Sequence, residues 1–275
     1  MTVLTPPARR LPPTPVLISA AILAAAALAA LLPAALAGDP FAINLDEVLT
    51  GPSWQHPFGT DLSGRDLYSR IVHGTRESLL IGLGATGVAL LIATVLGFAA
   101  ALAPKTSAAA ADRSVEVLFA FPAVLLALLL VSVFGPGSTT LIVAVGVGVA
   151  PGYARIIRGQ VLTVRTSPYV EAAAALGHSP LRIFARHIVP NALRPMVVVT
   201  TLGIGQTIVW ASGLAFLGVG VPPPAPEWGA LLDGGRTYIT HAWWLEVFPG
   251  LAIVVIALAA TTVGRHLAHR WEGRS

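Results

Sequence analysis

The chain has 275 residues, of which 55% are apolar and 11% charged, with a formal net charge of +4 and no cysteine. Soluble domains carry roughly a quarter charged residues, so an ordinary water-soluble globule is excluded, and so is a disordered chain, which is poor in Leu, Val and Ile. Disulfides, thiolate metal sites and thiol catalysis are excluded with cysteine, and the basic residues are scattered between apolar runs rather than gathered into the stripe or patch that nucleic acid requires.

A helix crossing about 30 Å of hydrocarbon needs about 20 apolar residues. Six uncharged runs of that order occur, at Val16 to Ala37, Leu79 to Leu102, Val117 to Phe134, Thr139 to Ala154, Met196 to Val221 and Val247 to Val263. They predict an all-α polytopic membrane protein with six transmembrane helices. In chain order this gives a tail over 1–15, a first span over 16–37, an external loop over 38–78, a core of five spans over 79–264 and a second tail over 265–275.

The first run follows Arg9 and Arg10 and ends in Ala35-Leu36-Ala37, which also reads as a signal-peptidase site. It is longer than the apolar part of a signal peptide, about 7 to 15 residues, and cleavage leaves the rest of the topology unchanged. In the loop that follows, Arg65, Arg70 and Arg76 mix with Asp61, Asp66 and Glu77. Helical spacing pairs Asp66 with Arg70 and sets Arg76 beside Glu77, which predicts a solvated outer helix with local salt bridges. Trp54, Trp228, Trp243 and Trp244 fall near predicted membrane boundaries, where tryptophan is expected without any ligand role.

The fourth run carries Gly146, Gly148, Pro151 and Gly152. Every backbone amide in lipid must be satisfied within the protein, so neighbouring helices must cover this span and a bundle is implied. Gly82 with Thr86, and Gly203 with Thr207, are small residues at helical spacing that allow close approach.

Between the fourth and fifth runs lies a segment much longer than a helix hairpin needs. Ser167 can cap a helix with Pro168 at its first position, Glu171 sits in the first turn, where the dipole favours an acid, and Gly177 suits the left-handed end. The signals repeat at Ser179 and Pro180, and the second helix is expected to run to Val189 before Pro190. Ala172, Ala173, Leu176, Ile183, Phe184 and Ile188 are then available for a partner groove. An amphipathic helix lying on the lipid surface is the other reading.

Orientation follows from the loops, because cytoplasmic loops are enriched in Lys and Arg. With the N-terminus inside, the inner pieces hold Arg9, Arg10, Lys105, Arg113, Arg155, Arg158, Arg165, Arg182, Arg186, Arg194, Arg265, Arg270 and Arg274, and the outer pieces only Arg65, Arg70, Arg76 and Arg236. Both termini are therefore expected in the cytoplasm.

Several chemistries lack their residues. No G-x-x-x-x-G-K-[ST] occurs, so the chain is not itself an NTPase, and neither G-x-S-x-G nor H-E-x-x-H is present. His266 and His269 share a helical spacing but have no carboxylate placed to complete a metal site. No ionisable residue falls within the six runs, which removes an intramembrane acid–base enzyme.

Glu171-Ala172-Ala173, then Gly177, then Ile188-Val189-Pro190, resembles the EAA loop of ABC importer permeases, and RHIVPN at Arg186 to Asn191 resembles its peptide and nickel branch. Three further stretches agree in order: His56 to Leu80, Phe121 to Gly137 and Phe216 to Leu232, followed by Trp243 to Ile253. The resemblance covers roughly Phe41 to Ala260 and is closest to the second permease subunit of dipeptide and oligopeptide importers. It implies a cytoplasmic coupling-helix loop over about 166–195, in which Tyr169, Glu171, Ala172, Ala173, Gly177, Arg182, Arg186, His187 and Pro190 dock an ATPase. It implies that Asp61, Gly64, Arg65, Asp66, Arg70 and Arg76 help dock an external substrate-binding protein.

The same resemblance implies a homologous second permease, one or two ATPase subunits, lipid around the spans, and a bacterial inner membrane location. It implies no cofactor in this chain, ATP and magnesium being held by the partner ATPase. Peptides are the implied cargo, with nickel chelates or glutathione as alternatives. An ATP-independent pore and a membrane-anchored scaffold are the competing classes. Two departures stand out. Members often place an acid just before the FLG motif, where Trp210-Ala211-Ser212-Gly213 has none, and the basic end from Gly264 to Arg274 replaces a usually acidic, glycine-rich one.

Overall fold

The structure is a computed structural model and describes residues 13–272, without the side chains of His269, Trp271 and Glu272. The expectations that rest on Arg9, Arg10, Arg274 and the His266–His269 pair thus fall wholly or partly outside the described residues. Among the described residues eleven α-helices succeed one another: α1 Thr14–Leu31, α2 Pro33–Leu36, α3 Leu67–Leu102, α4 Lys105–Ala120, α5 Ala123–Phe134, α6 Ser138–Arg165, α7 Pro168–Ala175, α8 Pro180–Ile183, α9 Val189–Leu214, α10 Trp228–Gly235 and α11 Trp244–Glu272. Among the described residues there is no strand, only an isolated antiparallel bridge between Thr60 and Asp66.

Five stretches are long and apolar enough to cross a bilayer: Thr14–Leu31, Leu67–Leu102, Ser138–Arg165, Pro180–Val219 and Trp244–Ala268. The expected third span, Val117 to Phe134, is not one straight helix. α4 and α5 meet at 93°, because Phe121 precedes a proline and is forced into extended backbone (φ −86°, ψ 129°). At 12 residues, α5 is about 18 Å long and too short to span alone, so there are six spans only if the bent pair counts as one.

Other boundaries also moved. α3 begins at Leu67 rather than Leu79, since the Asp66 carboxylate accepts the Ser69 N–H at 2.8 Å and caps it. Its 36 residues reach about 54 Å, so the helix rises well clear of a bilayer. α6 continues past the expected end at Ala154 to Arg165 with Pro151 inside it. The second loop helix does not stop before Pro190: α8 passes through a π-turn, Phe184–Ile188, straight into α9. The Val189 N–H reaches back to the Phe184 carbonyl, a wider turn that lets the chain take in a proline, which has no N–H to donate.

Lipid is as apolar as leucine, so close packing rather than water exclusion holds the spans together. α3 and α9 meet where their small residues coincide. Gly82 lies against Ile208, and the buried Thr86 hydroxyl donates to Thr207 Oγ1 at 3.1 Å. Further along α3 Gly97 faces Ala154 and Ile157 of α6, where any side chain would collide. Three buried clusters are stacked along the bundle, with the loop helices on one end cluster and α1, α10 and α11 on the other. Leu91, Val133 and Leu258 stay exposed on the outside, as lipid contact requires.

Candidate functional site

The loop between α6 and α9 is built largely from local signals. α7 closes in a Schellman arrangement: the His178 N–H donates to the Ala173 carbonyl (3.2 Å), the Gly177 N–H to that of Ala174 (3.0 Å), and Gly177 sits at φ +77°. Ser179 Oγ accepts the Arg182 N–H and opens α8 as expected. Ser167 occupies the cap position of α7, but its hydroxyl donates backward to the Val164 carbonyl at 2.5 Å instead of capping.

Burial divides the loop into two faces. Val170 and Ile188 pack into one cluster with Ala101 of α3, Val161 and Val164 of α6 and Met196 of α9, and Ala173 is buried as well. Arg165 ties the base by donating to the Ala101 carbonyl at 3.1 Å, near the end of α3. Tyr169, His178 and His187 stack across the joint between α7 and the π-turn, with ring centroids 6.3 and 6.0 Å apart. The opposite face carries Glu171, Ala172, Arg182, Arg186 and Pro190, all exposed, with Leu176 at 78% and Leu181 at 75% exposure. Of the residues singled out in the sequence, Ala173 is buried and His187 half-buried, while the others are exposed.

The far end of the bundle is different. Asp61 is a hub: Oδ1 accepts the N–H groups of Ser63 (2.8 Å) and Arg65 (3.0 Å), and Oδ2 faces Arg65 Nε (3.0 Å) and pairs with Arg70. Arg70 also donates to the Pro224 carbonyl at 3.0 Å, pinning the proline loop before α10 onto α3. The expected Asp66–Arg70 pair is absent. Asp66 caps α3 and meets His56 Nδ1 at 3.0 Å, while His56 Nε2 lies 3.1 Å from Glu47. The hydrogen bond to Asp66 raises the His56 pKa above its usual value, burial opposing and Glu47 assisting.

Asp61, Gly64 and Arg70 are buried, Arg65 and Asp66 half-buried and Arg76 exposed. The first three therefore build the interior of this end of the bundle, a plate formed by the 44–66 segment, the start of α3 and the loop before α10, which corrects the picture of a solvated helix with surface salt bridges.

Reasoning from sequence missed Glu227. It is 1% exposed; Oε1 accepts from the Gly229 N–H (2.9 Å) and the Ser78 hydroxyl (3.1 Å), and Oε2 from the Ala230 N–H (2.9 Å). Burial pushes its pKa up, against the pull of those three donors. The available signal was its place directly before Trp228-Gly229 at the start of a helix, where an acid can cap. Trp228 in turn donates from Nε1 to the Ile71 carbonyl at 2.9 Å.

The chain is similar to known proteins. The di/tripeptide transport system permease protein DppC of Pseudomonas aeruginosa is 38% identical over 232 residues, covering 82% of this chain and 77% of that protein. The glutathione transport system permease protein GsiD of Pectobacterium atrosepticum is 39% identical over 221 residues, covering 80% and 73%. An inward-facing structure of the MetNI methionine ABC transporter shares the fold, with a TM-score of 0.62 at 18% identity over 73% of this chain and 95% of that one. Residues 93–273 match the family described as binding-protein-dependent transport system inner membrane component, and the chain belongs to that family, as a multi-pass permease.

Proposed function

We propose that the chain is the permease subunit of an ATP-driven importer of short peptides, with both termini and the α7–α8 loop in the cytoplasm. The observation that carries this reading is the loop's outer face, which leaves Glu171, Arg182 and Arg186 without ion partners among the described residues beside exposed Leu176 and Leu181. Charge ringing an apolar patch is what a cleft on another protein takes up. That other protein is an ATPase, one chain or two, which holds ATP and magnesium; a homologous second permease completes the pathway. Closure of the ATPase pushes α7 and α8, whose inner faces are packed on α3, α6 and α9, so the push reaches the spans. ATP drives the change only through its differential affinity for the two states.

The excess of Lys and Arg on the loop side supports this orientation. The cargo assignment rests on the di/tripeptide and glutathione permeases to which the chain is similar. An external binding protein docks on the opposite plate, through its exposed rim at Arg76, while Asp61 and Arg70 hold that plate in shape. Gly177→Glu and Glu171→Lys are expected to abolish ATP-driven uptake in reconstituted vesicles while the chain still reaches the membrane. Normal import by both variants would overturn the docking assignment.

A further inference from the structure

Two cavities in the chain have lining residues that touch one another. The first, about 290 Å³, lies among the α4–α5 bend, α6 and α9, and is lined by Phe119, Gly148, Tyr153, Gln206, Trp210 and Leu214 with no charged side chain. The second, about 440 Å³, opens toward the end of the bundle where the coupling loop lies, and holds Asp112, Glu116, Arg155 and Arg158. Phe119 lines the first and Arg155 the second, and the Arg155 guanidinium carbon stands 4.0 Å from the centroid of the Phe119 ring.

The charges around this contact are unequal in their freedom. Arg158 meets Asp112 at 3.1 Å and Arg113 meets Glu116 at 2.9 Å, so both acids of the second cavity are engaged. Arg155 has no ion pair and no hydrogen bond among the described residues, its only partner being the ring. A guanidinium over a partly exposed ring is weakly held. A carboxylate offers it two parallel charge-assisted hydrogen bonds instead, and would draw it off the ring and leave Phe119 free to move.

We infer that Arg155, parked on Phe119, is the gate between the two cavities and receives the carboxylate of a passing substrate. The uncharged cavity leaves side chains of a peptide unselected, with Gln206 able to donate to and accept from a peptide group. The first cation met beyond it is Arg155, so selection at this step is for a carboxylate, which every unblocked peptide carries. The inference rests on the proposed importer reading and its orientation.

The chain has no cysteine, so Gln206→Cys places its only thiol in the first cavity. The whole complex in inside-out vesicles is treated with methanethiosulfonates of equal size, one an ethylsulfonate and one a trimethylammonium, and modification of this chain is followed by mass. Relative to a free thiol, the anionic reagent is expected to react about tenfold faster, the low end of what a focused cation does to local anion concentration. Arg155→Gln brings that ratio near one and Arg155→Lys keeps it. Phe119→Leu speeds both reagents and preserves the ratio, a readout that does not depend on the arginine variant assembling. An unchanged ratio in Arg155→Gln, unchanged rates in Phe119→Leu, or no labelling from this side would overturn the gate. ATP-driven peptide uptake by the unsubstituted complex is scored separately, so its loss counts against the importer reading and not against the gate.

Discussion

The two ends of the bundle use charge in opposite ways. At the end where α10 meets the start of α3 it is consumed inside the chain: Asp61 serves two arginines and two backbone amides, Asp66 caps α3 and binds His56, and Glu227 takes three donors. At the α7–α8 loop the apolar residues do the anchoring, and Glu171, Arg182 and Arg186 stay exposed. A charge spent within a chain stabilises it, whereas a charge left over is available to something else. Substitutions of these charges should therefore separate the two ends, one losing stability and the other losing function without it.

The largest stability loss is expected at Asp61. Asp61→Ala strands the buried Arg70 and the half-buried Arg65, and removing one partner of a buried pair costs about 3 to 5 kcal/mol, read as a fall in the unfolding midpoint of the detergent-solubilised chain. Glu227→Ala leaves two amides and the Ser78 hydroxyl without their acceptor, a loss of about 1 to 3 kcal/mol by the same assay. At the other end Gly177→Ala costs about 1 to 2 kcal/mol from backbone alone, since nothing lies within 4 Å of where its Cβ would stand, and Gly177→Asn costs less.

A smaller effect attaches to pH. Because the His56 pKa is raised on folding, protonated His56 contributes stability that is fully present below its ordinary value near 6.5 and fades as pH rises through the higher folded value. Protection of the 44–66 segment against proteolysis should weaken over that interval, and His56→Gln should remove the pH dependence. The smallest change belongs to Glu171→Lys, expected within about 0.5 kcal/mol of the parent in stability despite abolishing uptake. A large melting shift in Glu171→Lys, or none in Asp61→Ala, would erase the contrast between the two ends.

What the sequence made legible follows the same division. The α7–α8 loop is encoded by neighbours along the chain, Gly177 as a left-handed stop and Ser179-Pro180 as a start, and these survive in the structure. Apolar runs located the spans for the same reason, since composition alone decides them. Continuity was not legible, because hydropathy does not register what Pro122 does to Phe121, and α4 and α5 part at 93° inside one uncharged run.

Helix ends failed where a side chain decided them: Asp66 starts α3 twelve residues before hydropathy does. The opposite end failed altogether, since spacing offers Asp66 as the partner of Arg70. The partner it has, Asp61, comes from an irregular loop, and the carbonyl of Pro224 lies 154 residues away. Ser167 shows the limit even of local signals, its hydroxyl having found the Val164 carbonyl first.

The central claim is that the exposed face of α7 and α8 is the seat of an ATPase. Its most direct test is the amount of nucleotide-hydrolysing subunit that co-purifies with the tagged chain after gentle solubilisation, for the parent and for a Glu171→Lys, Arg182→Glu double variant. The account predicts that the variant retains the second permease and loses the ATPase. Recovery of the ATPase in the same ratio from both would contradict it.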